Sequence, residues 1–160
     1  VSGPPTLRVL IVDDESFVRS TIKAILRVIG DFAVTEAGDG EAALALLEIE
    51  SNRPDLVLCD LNMQPMGGLQ FVGALRSHAN PALRDIAVVM VTVHADELSV
   101  QNAVRLKIAG YLVKPISPKQ LRDRLQAIFR DWRPLPSSHA SRQMPGDSPR
   151  RFSPGASGCG

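Results

Sequence analysis

Apolar residues come in two rhythms along this chain, short unbroken runs and longer stripes at helical spacing, and the two alternate. Leu7-Arg-Val-Leu-Ile-Val12 is a β-branched run that predicts a strand buried on both faces. Over about residues 15–29, Val18, Ile22, Ile25, Leu26 and Ile29 form one helical stripe, closed by Gly30. Phe32–Ala37 alternates as a second strand. Asp39 then N-caps a second helix carrying Ala43, Leu44 and Leu47. Asp55–Asp60 predicts a third strand, and the loop Leu61–Gly67 leads to a third helix bearing Leu69, Val72 and Leu75. Asn80-Pro81 breaks the chain before Ile86–Thr92, its most strand-like run. A fourth helix is expected over about 96–109, ended by Gly110, with a short fifth strand at Tyr111–Val113. Ser117-Pro-Lys-Gln120 is a helix start, with Ser as N-cap, Pro in the first turn and Gln three on to reach back. Leu121, Leu125, Ile128 and Phe129 are the buried stripe of that last helix, and Trp132 is read as packing it against the core.

Strand and helix therefore alternate five times. This predicts an α/β fold, a doubly wound parallel sheet with helices on both faces. Right-handed crossovers and five strands point to the flavodoxin-like order 2-1-3-4-5, in which ligands bind at the C-terminal strand ends.

Composition alters this picture only at the ends. The 160 residues suffice for one domain, with 44% hydrophobic and 22% charged residues. No apolar run approaches the roughly 20 residues a membrane helix needs, and the first residues lack a signal-peptide pattern. Cys59 and Cys159 make neither a disulfide framework nor a zinc site, which fits a reducing, cytoplasmic location. Residues 133–160 hold five of the twelve prolines and four of the twelve glycines, and are read as a disordered Pro/Ser/Gly/Arg-rich tail. Residues 1–6 are an N-terminal extension, and 7–132 are the folded domain. The tail carries four arginines against one aspartate (+3), leaving −2 of the total +1 for the rest. Such a domain has no basic face for nucleic acid.

Chemistry collects where the strands end. Strand 1 ends in Asp13-Asp14, strand 3 in Asp60, strand 4 in Thr92 and strand 5 in Lys114. A parallel sheet puts all of these at one edge. Crowded carboxylates call for a hard cation with oxygen ligands, Mg²⁺. An aspartate can attack phosphorus and carry it as an aspartyl phosphate, and the transferred group needs a cation and hydroxyl donors such as Lys114 and Thr92.

Val12-Asp13-Asp14-Glu15, Leu58-Cys-Asp60-Leu-Asn-Met63, Met90-Val-Thr92 and Tyr111-Leu-Val-Lys114-Pro115 together resemble the motifs of the receiver domain of two-component response regulators, in particular stand-alone chemotaxis-type receivers. The resemblance covers about residues 6–131. It implies that Asp60 is the phosphoacceptor, charged by a sensor histidine kinase or a histidine phosphotransfer protein. Asp13, Asp14, Asp60 and the backbone carbonyl of Asn62 would form the Mg²⁺ site, with Asp14 ahead of Asp13 as a direct ligand. Lys114 would pair with the phosphoryl group, Thr92 would be the switch hydroxyl and Tyr111 the switch aromatic. The Lys114–Pro115 bond would be cis. The output would be a changed protein-protein interaction with a downstream target, without direct contact to nucleic acid or membrane. The fourth helix, fifth strand and last helix would form the homodimer face. The domain would be no enzyme beyond its own phosphotransfer and dephosphorylation.

Three departures from the family pattern stand out. The loop after Asp60 carries its proline one place late, in Met63-Gln-Pro-Met-Gly-Gly68. Val93 follows the switch threonine, where the residue is usually small. Lys107-Ile108 replaces Gly-Ala, which predicts a fourth helix one turn longer, capped at Gly110. Asn62 and His94 flank the site and bear on phosphate lifetime. The competing readings are a phosphate-independent binding module and an aspartyl-phosphate phosphatase. The latter would place its nucleophile on strand 1 in an Asp-x-Asp pattern, which is absent.

Overall fold

The computed structural model describes residues 6–135. Residues 1–5 of the 1–6 extension and residues 136–160 of the 133–160 tail, Cys159 among them, lie outside the described residues. Five parallel strands, β1 (Leu7–Val12), β2 (Phe32–Ala37), β3 (Leu56–Cys59), β4 (Ala87–Thr92) and β5 (Gly110–Val113), form one sheet in the order β2-β1-β3-β4-β5. Six helices connect and follow them: α1 (Ser16–Ile29), α2 (Gly40–Leu47), α3 (Gly68–Arg76), α4 (Pro81–Arg84), α5 (Val100–Arg105) and α6 (Pro118–Ile128).

The unbroken apolar runs are explained by burial on both sides. Successive strand residues point to opposite faces. Leu10, Val12, Val57, Cys59, Val88 and Met90 pack with Leu47, Phe71 and Leu75 of α2 and α3. Val9, Ile11, Leu56, Leu58, Val89 and Val91 pack with Ile22 and Leu26 of α1 and Leu121 and Leu125 of α6. Trp132 is buried in that second core, its ring 5.7 Å from that of Phe32. The chain continues across the end of α1, where the Leu135 N–H donates to the Ile29 carbonyl at 2.8 Å.

Caps set several of the helix starts. The Asp39 carboxylate accepts from the Ala42 N–H at 2.9 Å, and Ser117 with Gln120 closes a reciprocal capping box on α6. Asn80-Pro81, expected only to break the chain, starts the short α4: the Asn80 side chain accepts from the Ala82 N–H, and Pro81 occupies the first turn.

The expected long fourth helix over 96–109 is corrected. A 3₁₀ turn at Ala95–Glu97 precedes α5, which Ser99 caps and which ends at Arg105. Lys107 stops it. With φ at 51°, Lys107 takes the left-handed conformation usually left to glycine. The Lys107 N–H donates to the Val104 carbonyl at 3.1 Å and the Ile108 N–H to the Ala103 carbonyl at 3.0 Å, which is the Schellman closure of a helix C-terminus. The lysine therefore occupies a glycine's place in the same turn rather than extending the helix, and Gly110 begins β5 instead of capping α5.

Candidate functional site

Register places the polar strand ends side by side. Val12 pairs with Cys59, Cys59 with Met90 and Thr92 with Val113, so Asp13, Asp60, Thr92 and Lys114 gather at the C-terminal edge. The ladder continues one step beyond the strands: the Asp60 N–H donates to the Val12 carbonyl at 2.9 Å, and the Lys114 N–H to the Thr92 carbonyl at 3.0 Å.

Asp13 and Asp60 are buried, and Lys114 reaches both. Its ammonium is 2.8 Å from Asp13 Oδ2 and 3.5 Å from Asp60 Oδ2. Asp13 Oδ1 accepts the Glu15 N–H at 2.9 Å, so both Asp13 oxygens are engaged. Asp60 Oδ1 accepts the Leu61 N–H at 2.8 Å, whereas Oδ2 has only the longer contact with Lys114. Burial pushes the Asp60 carboxyl above its ordinary value; Lys114 and the Leu61 and Asn62 N–H groups oppose this, while Asp13 adds to it. Burial alone would lower the Lys114 value. The Asp13 hydrogen bond and the charges of Asp13, Asp60 and Glu15 outweigh burial and leave it raised, so the ammonium is held firmly. The Cys59 thiol is driven far up by burial and by the Asp60 and Asp13 charges, and is an inert core group.

Asp14 and Glu15 are exposed, and their carboxylate oxygens lie with one of Asp13 within 4.8 Å of one another. Asp14 also shares a cleft of about 490 Å³ with Asn62, Gln64 and Gln70. An all-oxygen cluster with free carboxylates at an open cleft fits a hard divalent cation. Because both Asp13 oxygens are committed to Lys114 and Glu15, Asp14 has the freer carboxylate. The Asn62 side chain donates to Glu97 Oε2 at 3.1 Å.

Thr92 is fully buried, and its hydroxyl accepts the His94 N–H at 3.1 Å. Tyr111 is not in this cluster. It stands half exposed on β5, lining a groove with Gln120, Asp123 and Arg124 of α6. The Lys114–Pro115 peptide bond is cis, and so is Gln64–Pro65 in the loop whose proline is displaced. Val93 is exposed and lines a small apolar groove with Phe17, Lys114 and Pro115.

Two residues sit against the site in ways the sequence did not report: Arg19 gave no signal, and Gly68 stood only as the end of the loop Met63–Gly68. Arg19 donates to the Asp13 carbonyl and, through Nε, to Glu36 Oε1 at 3.3 Å, fixing the turn that carries the acidic pair. Gly68 opens α3 directly against the acceptor. A Cβ there would overlap the Asp60 carbonyl oxygen and come within 3.0 Å of Leu61 Cα. These neighbours are backbone and cannot swing aside. Gly68→Ala is therefore expected to cost about 1–3 kcal/mol in a urea melt and to slow chemistry at Asp60. Wild-type values in both measurements would remove Gly68 from the site.

Comparison with known proteins places this geometry. The model of the response regulator receiver domain family matches residues 9–126. The chemotaxis protein CheY of Pseudomonas aeruginosa is 36% identical over 123 residues, covering 77% of this chain and 96% of the relative. The probable transcriptional regulator ycf27 of Guillardia theta is 37% identical over 123 residues, but those span only 45% of its length. Among solved structures, the chemotaxis response regulator CheY4 of Vibrio cholerae superposes with a TM-score of 0.66 at 30% identity, over 78% of this chain and 99% of that one.

Proposed function

The chain belongs to the response regulator receiver family, and from that premise we propose that Asp60 takes the phosphoryl group, with Lys114, Thr92 and the acidic pair in named supporting roles. The observation that carries this reading is the meeting of Asp60, Asp13 and Lys114 in one buried cluster, with Asp60 Oδ2 the less engaged oxygen.

In the proposed reaction Asp60 Oδ2 attacks phosphorus, and the bond to the donor's leaving group breaks. The Lys114 ammonium balances the charge brought to the pocket, since it already bridges both buried carboxylates. The Thr92 hydroxyl keeps its own proton to donate while accepting from His94, so it can turn to a phosphoryl oxygen without abandoning the loop. Asp14, Asp60 and the Asn62 carbonyl would hold Mg²⁺, with Asp13 acting through water. When bound, the ion neutralises phosphate charge and helps align the transferring group.

The added charge then biases two states of the domain. The proposed readout surface is α5, β5 and α6, where Val100, Val104, Tyr111 and Val113 are exposed. An exposed apolar set of this kind suits a protein partner or a second copy. The phosphoryl donor is a histidine kinase or phosphotransfer protein, the setting is the cytoplasm, and the unit is residues 7–132. Catalysis is confined to the domain's own phosphotransfer and dephosphorylation.

The test is intact-mass analysis after acetyl phosphate, with Mg²⁺ or with chelator. One base-labile phosphoryl group is expected with Mg²⁺ and none after chelation. No uptake by Mg²⁺-loaded protein would leave a phosphate-independent binding module as the better account.

A further inference from the structure

Asn62 lies two residues after the acceptor Asp60. Its side-chain amide donates to Glu97 Oε2 at 3.1 Å across 35 residues of sequence. Glu97 ends the 3₁₀ turn Ala95–Glu97, in the loop that leaves β4 just after Thr92. That loop is tied down a second time, by the His94 N–H on the Thr92 hydroxyl. One residue therefore connects an exposed carboxylate to the acceptor's loop, and the loop bearing that carboxylate is anchored on the site's own threonine. Asp13, Asp14 and Glu15 cluster with one another, and Lys114 is the ammonium that ties Asp13 to Asp60.

We propose that Glu97 is a specificity-determining charge gate of the acceptor site: held by Asn62, two residues after Asp60, its carboxylate discriminates among phosphoryl donors by their negative charge. The inference rests on the phosphoacceptor reading and goes beyond it. The physical reason is Coulombic. An anionic donor must pass or displace a fixed like charge to reach Asp60 Oδ2, and the penalty grows with the donor's charge. In the transfer itself an Asp60 oxygen forms a bond to phosphorus. The donor's bridging P–O bond breaks and acetate leaves with the electron pair when the donor is acetyl phosphate. The P–N bond breaks and ammonia leaves, keeping the proton on its nitrogen, when the donor is phosphoramidate. Acetyl phosphate is a dianion at neutral pH, whereas phosphoramidate carries less net negative charge, so the two donors separate charge from chemistry at one acceptor.

Glu97→Gln removes the charge but keeps an oxygen that can accept from Asn62, so the tether survives. Initial rates of phosphoryl uptake, followed by intact mass with Mg²⁺ present, are compared for wild type, Glu97→Gln and Glu97→Lys with each donor, at low salt and at about 0.5 M salt. With acetyl phosphate at low salt, Glu97→Gln is expected to react about three- to ten-fold faster than wild type, and Glu97→Lys faster still. The gain should be smaller with phosphoramidate and should shrink in high salt. A change of the same size with both donors, or one indifferent to salt, would mean a structural effect and overturn the gate, as would unchanged or slower uptake by Glu97→Gln. Absence of uptake by wild type from both donors would instead overturn the phosphoacceptor reading itself.

Discussion

Asp60→Asn is expected to abolish phosphoryl uptake and, in the same protein, to raise the stability of the unmodified domain. The loss follows from chemistry: an amide has no nucleophilic carboxylate oxygen, and no other carboxylate in the cluster is both buried against Lys114 and free at one oxygen. The gain in stability follows from the environment of Asp60. Burial, together with the Asp13 charge, raises its folded value above the ordinary 3.8 despite Lys114 and two backbone donors. A carboxyl whose folded value is raised binds more protons folded than unfolded between those two values. Stability therefore falls as pH rises through that window, and the deficit is complete above it. The variant carries no such deficit and keeps the Leu61 N–H acceptor through its amide oxygen. Near neutral pH its melting temperature should exceed wild type by a few degrees, and the gap should close as pH drops towards 4. Intact-mass and thermal unfolding measurements check the two halves separately. Uptake equal to wild type would displace Asp60 as acceptor; a lower melting temperature would mean that Lys114 attraction outweighs burial.

Arg76→Met is expected to cost about 3 kcal/mol of stability. The guanidinium of Arg76, at the end of α3, donates to four carbonyls: Arg84, Ile86 and Leu106, each at 2.7 Å, and Lys107 at 3.2 Å. It joins three segments, the end of α3, the approach to β4 and the turn after α5. Two of its acceptors are the carbonyls of Leu106 and of the left-handed Lys107 itself. Removing the guanidinium leaves carbonyls without partners and frees a turn whose conformation lysine does not favour. Methionine matches the apolar stem but no donor. Lysine has one ammonium in place of a planar fork and should recover only part of the loss. Urea unfolding followed by the fluorescence of Trp132, the only tryptophan and a buried one, measures this directly. A loss below about 1 kcal/mol would show that these carbonyls are satisfied by water instead.

The exposed apolar residues of α5 and β5 give these effects their setting. Helix α5 buries none of its own residues, so the element between the Thr92 loop and the Lys107 turn is held mainly at its two ends. One end is fastened by Thr92 and Asn62, both beside the acceptor, and the other by Arg76. An element held in this way is well placed to respond to a change at Asp60.

The hydrophobic pattern by itself determined the five strands and the doubly wound sheet, because runs buried on both faces and stripes buried on one leave different periods in a sequence, whereas the order 2-1-3-4-5 came from the fold class, with its right-handed crossovers. It also determined which residues end the strands, and so named Asp13, Asp60, Thr92 and Lys114 as neighbours before any distance was known. Local chemistry fixed the starts of α2 and α6, since Asp39 and the Ser117–Gln120 pair satisfy backbone donors a few residues away. What tertiary structure decided lies where distant segments meet. The end of α5 was misjudged because Lys107 takes a glycine's conformation, held by an arginine some thirty residues away, and no local rule reports that. The grip of Arg19 on Asp13, the closeness of Gly68 to Asp60 and the hold of Asn62 on Glu97 are contacts between loops and helices brought together only by the folded sheet. Periodicity records which side of an element is buried; it carries no record of which polar group on another element that side will face.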